Sequence, residues 1–260
     1  MNFKYTFGLL LAAPILPLMY FQGKKIKRSV VKLPEAKGAK GRSSANVQNG
    51  KLNVLLIGES TFAGVGVERH QMGFAGSFAD ELSRSSSKEI NWRVYARSGY
   101  TAKRIQHKIL PKIEEDSTDL ILVGIGGNDA FKLSKPKKWR QDVNDLINAI
   151  QEQFAGTPIV FCNLPPIKLF PAFTSTIKFV VGNLVEVLGE ELAMMVDKYD
   201  QVYFNEEVIT LSAWMTRFDV EGSTDDFFSD GVHPSRLTYR IWGKEMARVT
   251  IERFLPHLRD

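Results

Sequence analysis

Two apolar runs, each closed by glycine, constrain this chain more than any other feature. Val54-Leu55-Leu56-Ile57 stops at Gly58, and Asp119 to Ile125 (DLILVGI) stops at Gly126-Gly127. A strand with one face in water alternates apolar and polar residues. A run without polar positions suits a strand covered on both faces, which is how parallel sheets read.

The segments between and beyond these runs supply the covering helices. Phe74, Phe78 and Leu82 within Gly73 to Arg84 lie at four-residue spacing, as on a helix with one buried face. Asn91 to Arg97 alternates like a second strand, and Thr101 to Ile113 reads as a helix broken locally by Pro111. A helix over Trp139 to Phe154, a strand over Pro158 to Phe161, and a Pro-rich loop over Asn163 to Phe173 follow. A long helix from about Thr176 to Tyr199, a fifth strand over Gln201 to Phe204 and an irregular stretch reaching Ser229 come next. The last helix spans Ser235 to Phe254. Strands alternating with helices predict a five-stranded parallel sheet with right-handed crossovers, a flavodoxin-like three-layer α/β/α sandwich.

The domain is expected from Leu52 to Asp260. Residues 1–22 contain a charge-free apolar stretch (FGLLLAAPILPLMYF) at 7–21, short for a membrane span and interrupted by Pro14 and Pro17. Lys24, Lys25, Lys27 and Arg28 follow directly. Positive charge there favours the cytoplasmic side and attracts anionic headgroups, so the expectation is an uncleaved membrane-associating segment at the cytoplasmic face. The rivals are a secretory signal leading to the periplasm or exterior, and a helix that simply packs on the domain. Residues 23–51, rich in Lys, Gly, Ser and Ala, read as a basic tether or surface wrap.

Charge follows the same division. Residues 1–42 hold nine Lys or Arg against Glu35 alone, a balance of +8; with +5 overall, the other 218 residues carry −3. A mildly acidic body argues against nucleic acid as a partner. The single cysteine, Cys162, excludes an internal disulfide and any multi-cysteine metal site, and its apolar neighbours predict a buried thiol. The glycines do not build a nucleotide site. Gly58 and Gly64 are too far apart for a phosphate loop, no GK[ST] follows, and Gly64-Val65-Gly66 lacks a third glycine.

Four histidines allow a general base to be sought by elimination. His70 and His107 have charged neighbours and read as solvated, and His257 lies in the last residues. His233 precedes Pro234 in a turn, with Asp230 three residues earlier. That spacing lets the carboxylate take a bond from Nδ1 and leaves Nε2 outward as a base. The plainer reading is a helix-capping Asp beside an incidental His. Ser60, on the turn after the first strand, is a nucleophile that such a base would activate; alone it reads equally as a helix cap. Gly99 past the second strand, Asn128 past the third and the Ser60 backbone N–H are candidate oxyanion donors.

Gly58-Glu59-Ser60-Thr61, Ser98-Gly99-Tyr100-Thr101, Gly126-Gly127-Asn128-Asp129 and Asp230-Gly231-Val232-His233-Pro234 occur in this order. The ordered set resembles the SGNH hydrolases, also called the GDSL esterase/lipase superfamily, over roughly Leu52 to Phe254. The resemblance implies a Ser60 nucleophile, an Asp230–His233 pair, oxyanion donors at Ser60, Gly99 and Asn128, and ester hydrolysis through an acyl-enzyme without metal or cofactor. Glu59 stands where that family usually has Asp. A lipid or small-molecule ester is the expected partner, with Leu164, Ile167, Leu169, Phe170, Phe173, Trp214, Phe218, Phe227 and Phe228 available to line an acyl pocket or to pack on the sheet. A carbohydrate O-deacetylase or acyltransferase with the same triad, a non-catalytic binding module, and a metal phosphatase built on Glu59, Asp129 and Asp230 are the competing functions.

Overall fold

A computed structural model describes residues 3–45, 47, 48 and 50–259. Its elements in chain order are α1 (Phe3–Ala12), α2 (Leu16–Ser29), β1 (Lys40–Ser43), β2 (Lys51–Gly58), α3 (Phe74–Ser86), β3 (Glu89–Ala96), α4 (Ala102–Lys108), β4 (Leu120–Gly124), α5 (Gly127–Phe131), α6 (Pro136–Gln153), β5 (Ile159–Phe161), α7 (Ser175–Val196), β6 (Val202–Phe204), α8 (Leu211–Phe218) and α9 (Arg236–Val249). The sheet order is β1-β3-β2-β4-β5-β6. Strands β3, β2, β4, β5 and β6 are mutually parallel, and β1 adds antiparallel to β3, pairing Lys40 with Arg93 and Ser43 with Ile90.

The sequence pattern explains the three layers. Alternate residues of each central strand enter opposite cores. Leu55, Ile57, Ile121, Val123, Ile159 and Phe161 face α4, α6 and α7, whereas Val54, Leu56, Leu120, Leu122 and Val160 face α3 and α9. Full burial of such side chains contributes about 1.5–3 kcal/mol each. Trp139 and Phe78, both 0 % exposed, anchor the two cores. The glycines that end β2 and β4 make room for Phe62 above the strand ends. A Cβ on Gly58 would lie 2.6 Å from the Gly124 carbonyl oxygen and 2.8 Å from Phe62 Cβ, and one on Gly124 would lie 2.6 Å from Phe62 Cε1.

The structure departs from the sequence expectations in several places. The sheet has six strands, because residues 40–43 of the supposed tether pair with β3. The folded part therefore begins well before Leu52. Residues 23–29 are not tether either; they complete α2. The irregular stretch after β6 contains α8, capped by Thr210 and anchored by the buried Trp214. Helix α4 ends at Lys108, and Pro111 then opens a 3-10 turn at Leu110–Lys112. His70, expected in solvent, is 5 % exposed, because backbone bonds from residues 36–37 to Ala63 and Glu68 close that loop down. His107 is exposed as expected, and the side chain of His257 lies outside those described.

Helices α1 and α2 lie on the domain. Met19 and Ile26 pack against the core on the α7 side, and the Thr174 hydroxyl donates to Gln22 Oε1 at 2.7 Å. No helix among the described residues is long and apolar enough to cross a membrane.

Candidate active site

The chain leaves β2 for β3 on one side and then crosses to β4 on the other, so the order reverses between β2 and β4. Crevices outside the carboxyl ends of strands at such a reversal are where open α/β sheets bind ligands. Ser60 lies in the turn beyond β2, Gly99 beyond β3 and Asn128 beyond β4.

Asp230 and His233 meet as their spacing predicts. Asp230 Oδ2 lies 2.8 Å from His233 Nδ1, while Oδ1 accepts the backbone N–H groups of Val232 at 2.9 Å and His233 at 2.7 Å. The Asp230 side chain is 2 % exposed and that of His233 is 23 %. Burial alone would raise the Asp230 pKa; the bonds from His233 outweigh it and hold the carboxyl below its usual value. His233 Nε2 has no hydrogen-bond partner among the described residues.

The Ser60 turn adjoins this loop. Ser229 Oγ donates to the Gly66 carbonyl at 3.2 Å and to that of Pro234 at 3.0 Å, and Tyr239 Oη donates to Val65 at 2.7 Å. Gly66, at φ +105°, leaves no space for a side chain against the Pro234 carbonyl. Gly64 and Gly66 thus serve a tight turn packed on the Asp–His loop. The Ser60 hydroxyl makes no hydrogen bond with a described residue, His233 included.

The candidate oxyanion donors differ in their readiness. Tyr100 N–H closes a turn on Arg97 C=O at 3.3 Å, and Gly99 at its third position has φ +78°. That is a type II turn, which requires glycine there. The backbone N–H groups of Gly99 and Ser60 have no partner among the described residues. Asn128 Nδ2, in contrast, donates to Glu59 Oε2 at 2.5 Å and to Tyr100 C=O at 3.1 Å, so both amide hydrogens are engaged.

Glu59 is the tie that the sequence did not reveal. Its side chain also accepts Gly127 N–H at Oε1 and Asn128 N–H at Oε2, both at 2.9 Å, across nearly seventy residues of chain. Burial pushes its pKa up to about 7 against these bonds, and Asp129 adds repulsion. Asp129 is itself buried, which raises it to about 6, and accepts Ala102 N–H at 3.0 Å, pinning the start of α4 to the segment beyond β4. The acidic residue before Ser60 was a visible signal; its partners were not, because they arrive from another strand.

The loop after β5 carries two kinds of apolar surface. Leu164, Ile167 and Leu169, with Val185, Phe204 and Ile209, line a cavity of about 460 Å³ between that loop, α7 and the chain after β6. Leu164 and Pro165 form its wall towards Gly126 and Gly127. Phe131, Phe173, Phe170 and Phe228 form a chain of ring contacts with centroids 5.1–5.5 Å apart, edge-to-face at its two ends and tilted in the middle, reaching the loop before Asp230. Trp214 and Phe227 are buried in the core on the α9 side, where Phe218 also packs, and none of the three lines that cavity.

The chain belongs to the GDSL-like lipase/acylhydrolase family, whose model matches residues 56–241. That membership places it among the acylhydrolases. No curated protein matches it significantly. Among solved structures, it is similar to a lipase from a goat rumen metagenome (18% identity, TM-score 0.53, covering 75% of this chain and 95% of that one). It is similar also to TesA (16%, 0.53, 79% and 99%) and to a member of the lipolytic G-D-S-L family from Veillonella parvula (16%, 0.54, 78% and 97%). At these identities the likeness establishes the three-layer fold.

Proposed function

We propose that this acylhydrolase is a serine esterase that cleaves carboxylic esters of acyl lipids or short acyl chains through an acyl-enzyme at Ser60. The observation that carries the reading is the Asp230–His233 pair: a buried carboxylate holds Nδ1, Nε2 has no partner among the described residues, and their loop packs on the one that follows Ser60. Ser60 Oγ attacks the ester carbonyl as His233 Nε2 takes its proton, and the imidazolium is stabilised by Asp230. The Ser60 and Gly99 N–H groups receive the oxyanion. Asn128 joins them by releasing the longer of its two bonds, that to Tyr100 C=O. Collapse expels the alcohol, protonated by His233, and water then repeats the sequence on the acyl-enzyme.

The apolar cavity beside Gly126 and Gly127 supports an acyl group as the bound portion, since ligand sites are mostly apolar with few placed polar groups. A membrane surface is the proposed source of substrate. One face of α1–α2 packs on the domain, while Leu11, Leu18, Tyr20 and Phe21 remain 47–67 % exposed, followed by exposed Lys24, Lys25, Lys27 and Arg28. An apolar stretch ending in cations suits a helix lying in the headgroup region of an anionic, cytoplasm-facing leaflet.

The test is fluorophosphonate labelling of the purified full chain together with turnover of p-nitrophenyl esters of increasing chain length. Stoichiometric labelling that disappears in Ser60→Ala, with turnover lost, is expected. Undiminished turnover by Ser60→Ala overturns the assignment, and faster cleavage of sugar O-acetyl esters than of any acyl ester moves the substrate class to carbohydrates.

A further inference from the structure

The segment between α2 and β1 carries only one acid, Glu35, and this residue reaches the turn that bears Gly99. Glu35 Oε1 accepts the Ser98 backbone N–H at 2.8 Å, and Oε2 accepts Arg97 Nη1 at 2.9 Å. No other described group binds the Ser98 N–H. The neighbouring residues hold the other side of the site. Ala36 N–H donates to Ala63 C=O at 2.9 Å, Lys37 N–H to Glu68 C=O at 2.9 Å, and Lys37 C=O accepts His70 N–H at 3.0 Å. Ala36 also fills the space beside Gly64, where a Cβ would lie 2.6 Å from its own. Three consecutive residues thus bind the Ser60 loop and the Gly99 turn at once.

The stereochemistry of the turn makes this contact consequential. In a type II turn the peptide between the second and third residues, here Ser98–Gly99, determines where the third N–H points. Rotating that one peptide converts the turn to type I and reverses the direction of the Gly99 N–H. The turn has solvent on its outer side: Arg97, Ser98 and Gly99 are all exposed, and a Cβ on Gly99 would meet nothing within 4 Å. Core packing therefore does not fix this peptide. Its restraints are the Tyr100–Arg97 closure and the two bonds from Glu35 at its leading end.

We propose that Glu35 is a positioning residue for ester hydrolysis: by accepting the Ser98 N–H it holds the Gly99 N–H in the direction an oxyanion requires. The inference rests on the reading of Gly99 as an oxyanion donor. It makes the strap over residues 35–37 a part of the catalytic unit, although it lies outside the four sequence blocks and precedes the span that the family model matches. It also gives the chain from the α1–α2 helices a direct mechanical route to the site, since the strap is their continuation.

The experiment compares Glu35→Ala, Glu35→Gln and Gly99→Pro with the unaltered full chain, reading kcat and KM on a soluble p-nitrophenyl ester and melting temperature in parallel. Removing an oxyanion donor outright costs on the order of 10²–10³ in turnover; loosening its support is expected to cost about tenfold. Glu35→Ala should therefore lower kcat about tenfold with KM unchanged. Glu35→Gln, whose amide oxygen still accepts the Ser98 N–H, should restore most of it. Gly99→Pro should fall further than either. A Glu35→Ala enzyme with full kcat overturns the proposal, as does a loss that Glu35→Gln shares in full, because the ion pair or the fold would then be the cause. Should Glu35→Ala fail to fold, the comparison of Glu35→Gln with the unaltered chain decides: most of kcat retained supports the Ser98 bond, and a tenfold loss overturns it. Full activity in Gly99→Pro, which has no N–H at this position, overturns instead the donor assignment on which the inference stands, and full turnover in Ser60→Ala overturns the esterase reading itself.

Discussion

Replacing Glu59 by Gln tests the tie between the Ser60 turn and the segment beyond β4. In the folded protein burial lifts this carboxyl from 4.5 to about 7. The folded state therefore holds the proton more tightly than the unfolded chain does. The stability this gives is full below about pH 4.5 and is lost as pH rises through about 7. At roughly 1.4 kcal/mol per tenfold change in proton affinity, the displacement corresponds to about 3 kcal/mol. Glutamine cannot ionise and should lack this fall. It has a cost of its own at every pH. The carboxylate receives Gly127 N–H on one oxygen and two N–H groups of Asn128 on the other, so an amide nitrogen must face a donor. An unsatisfied buried N–H costs about 1–3 kcal/mol. Urea unfolding at pH 5 and pH 8 reads both effects. The variant should be less stable at pH 5, and between the two pH values the unaltered protein should lose about 2.5 kcal/mol more than the variant, less than the full displacement because the unfolded carboxyl is already largely ionised at pH 5. Asp129, raised to about 6 by burial, contributes to the slope of both proteins, less in the variant, where the repulsion between it and Glu59 is gone. Equal slopes would refute a buried, proton-binding Glu59.

Asp230→Asn should keep the backbone bonds at Oδ1 while turning an amide nitrogen towards His233 Nδ1, forcing the wrong tautomer. Turnover should fall on the order of 10³–10⁴ with little change in melting temperature; a variant within tenfold of the unaltered enzyme would disprove the proposed relay. Replacing Lys24, Lys25, Lys27 and Arg28 by Gln should weaken binding to anionic phospholipid vesicles by about a thousandfold at low salt, at about 1 kcal/mol per removed cation. Co-sedimentation measures this, and unchanged partitioning would rule out the proposed membrane surface.

The parts of the fold legible in the sequence were those whose cause is local. Strands β2 and β4 announce themselves because burial on both faces leaves no polar position between Val54 and Ile57 or between Leu120 and Val123. The Asp230–His233 contact is legible for a similar reason, since three residues of one turn bring the groups together. Strand β1, with the sequence KGRS, carries neither alternation nor β-branched residues; it is extended because β3 offers it a partner. Helix α8 is short and buries little besides Trp214, too weak a pattern to separate from a loop. His70 has charged neighbours in sequence, but the strap covers it, and burial lowers its pKa to about 4. Glu35 and Glu59 act on residues more than sixty positions away, a distance over which no spacing rule operates.

Strand β1 also decides where this protein can be cut. A chain begun at Leu52, where the apolar pattern starts, would bare the hydrogen-bonding edge of β3 along the residues from Ile90 to Arg93 that β1 pairs. It would uncover Trp92 as well, whose ring Gly41 overlies and which is now 3 % exposed. Such an edge, flat and carrying a large aromatic, invites strand pairing between molecules. Insolubility of that fragment would report on an opened sheet and not on the loss of a membrane anchor, so the α1–α2 helices are better removed by starting at Val30, which preserves the strap and the closing strand.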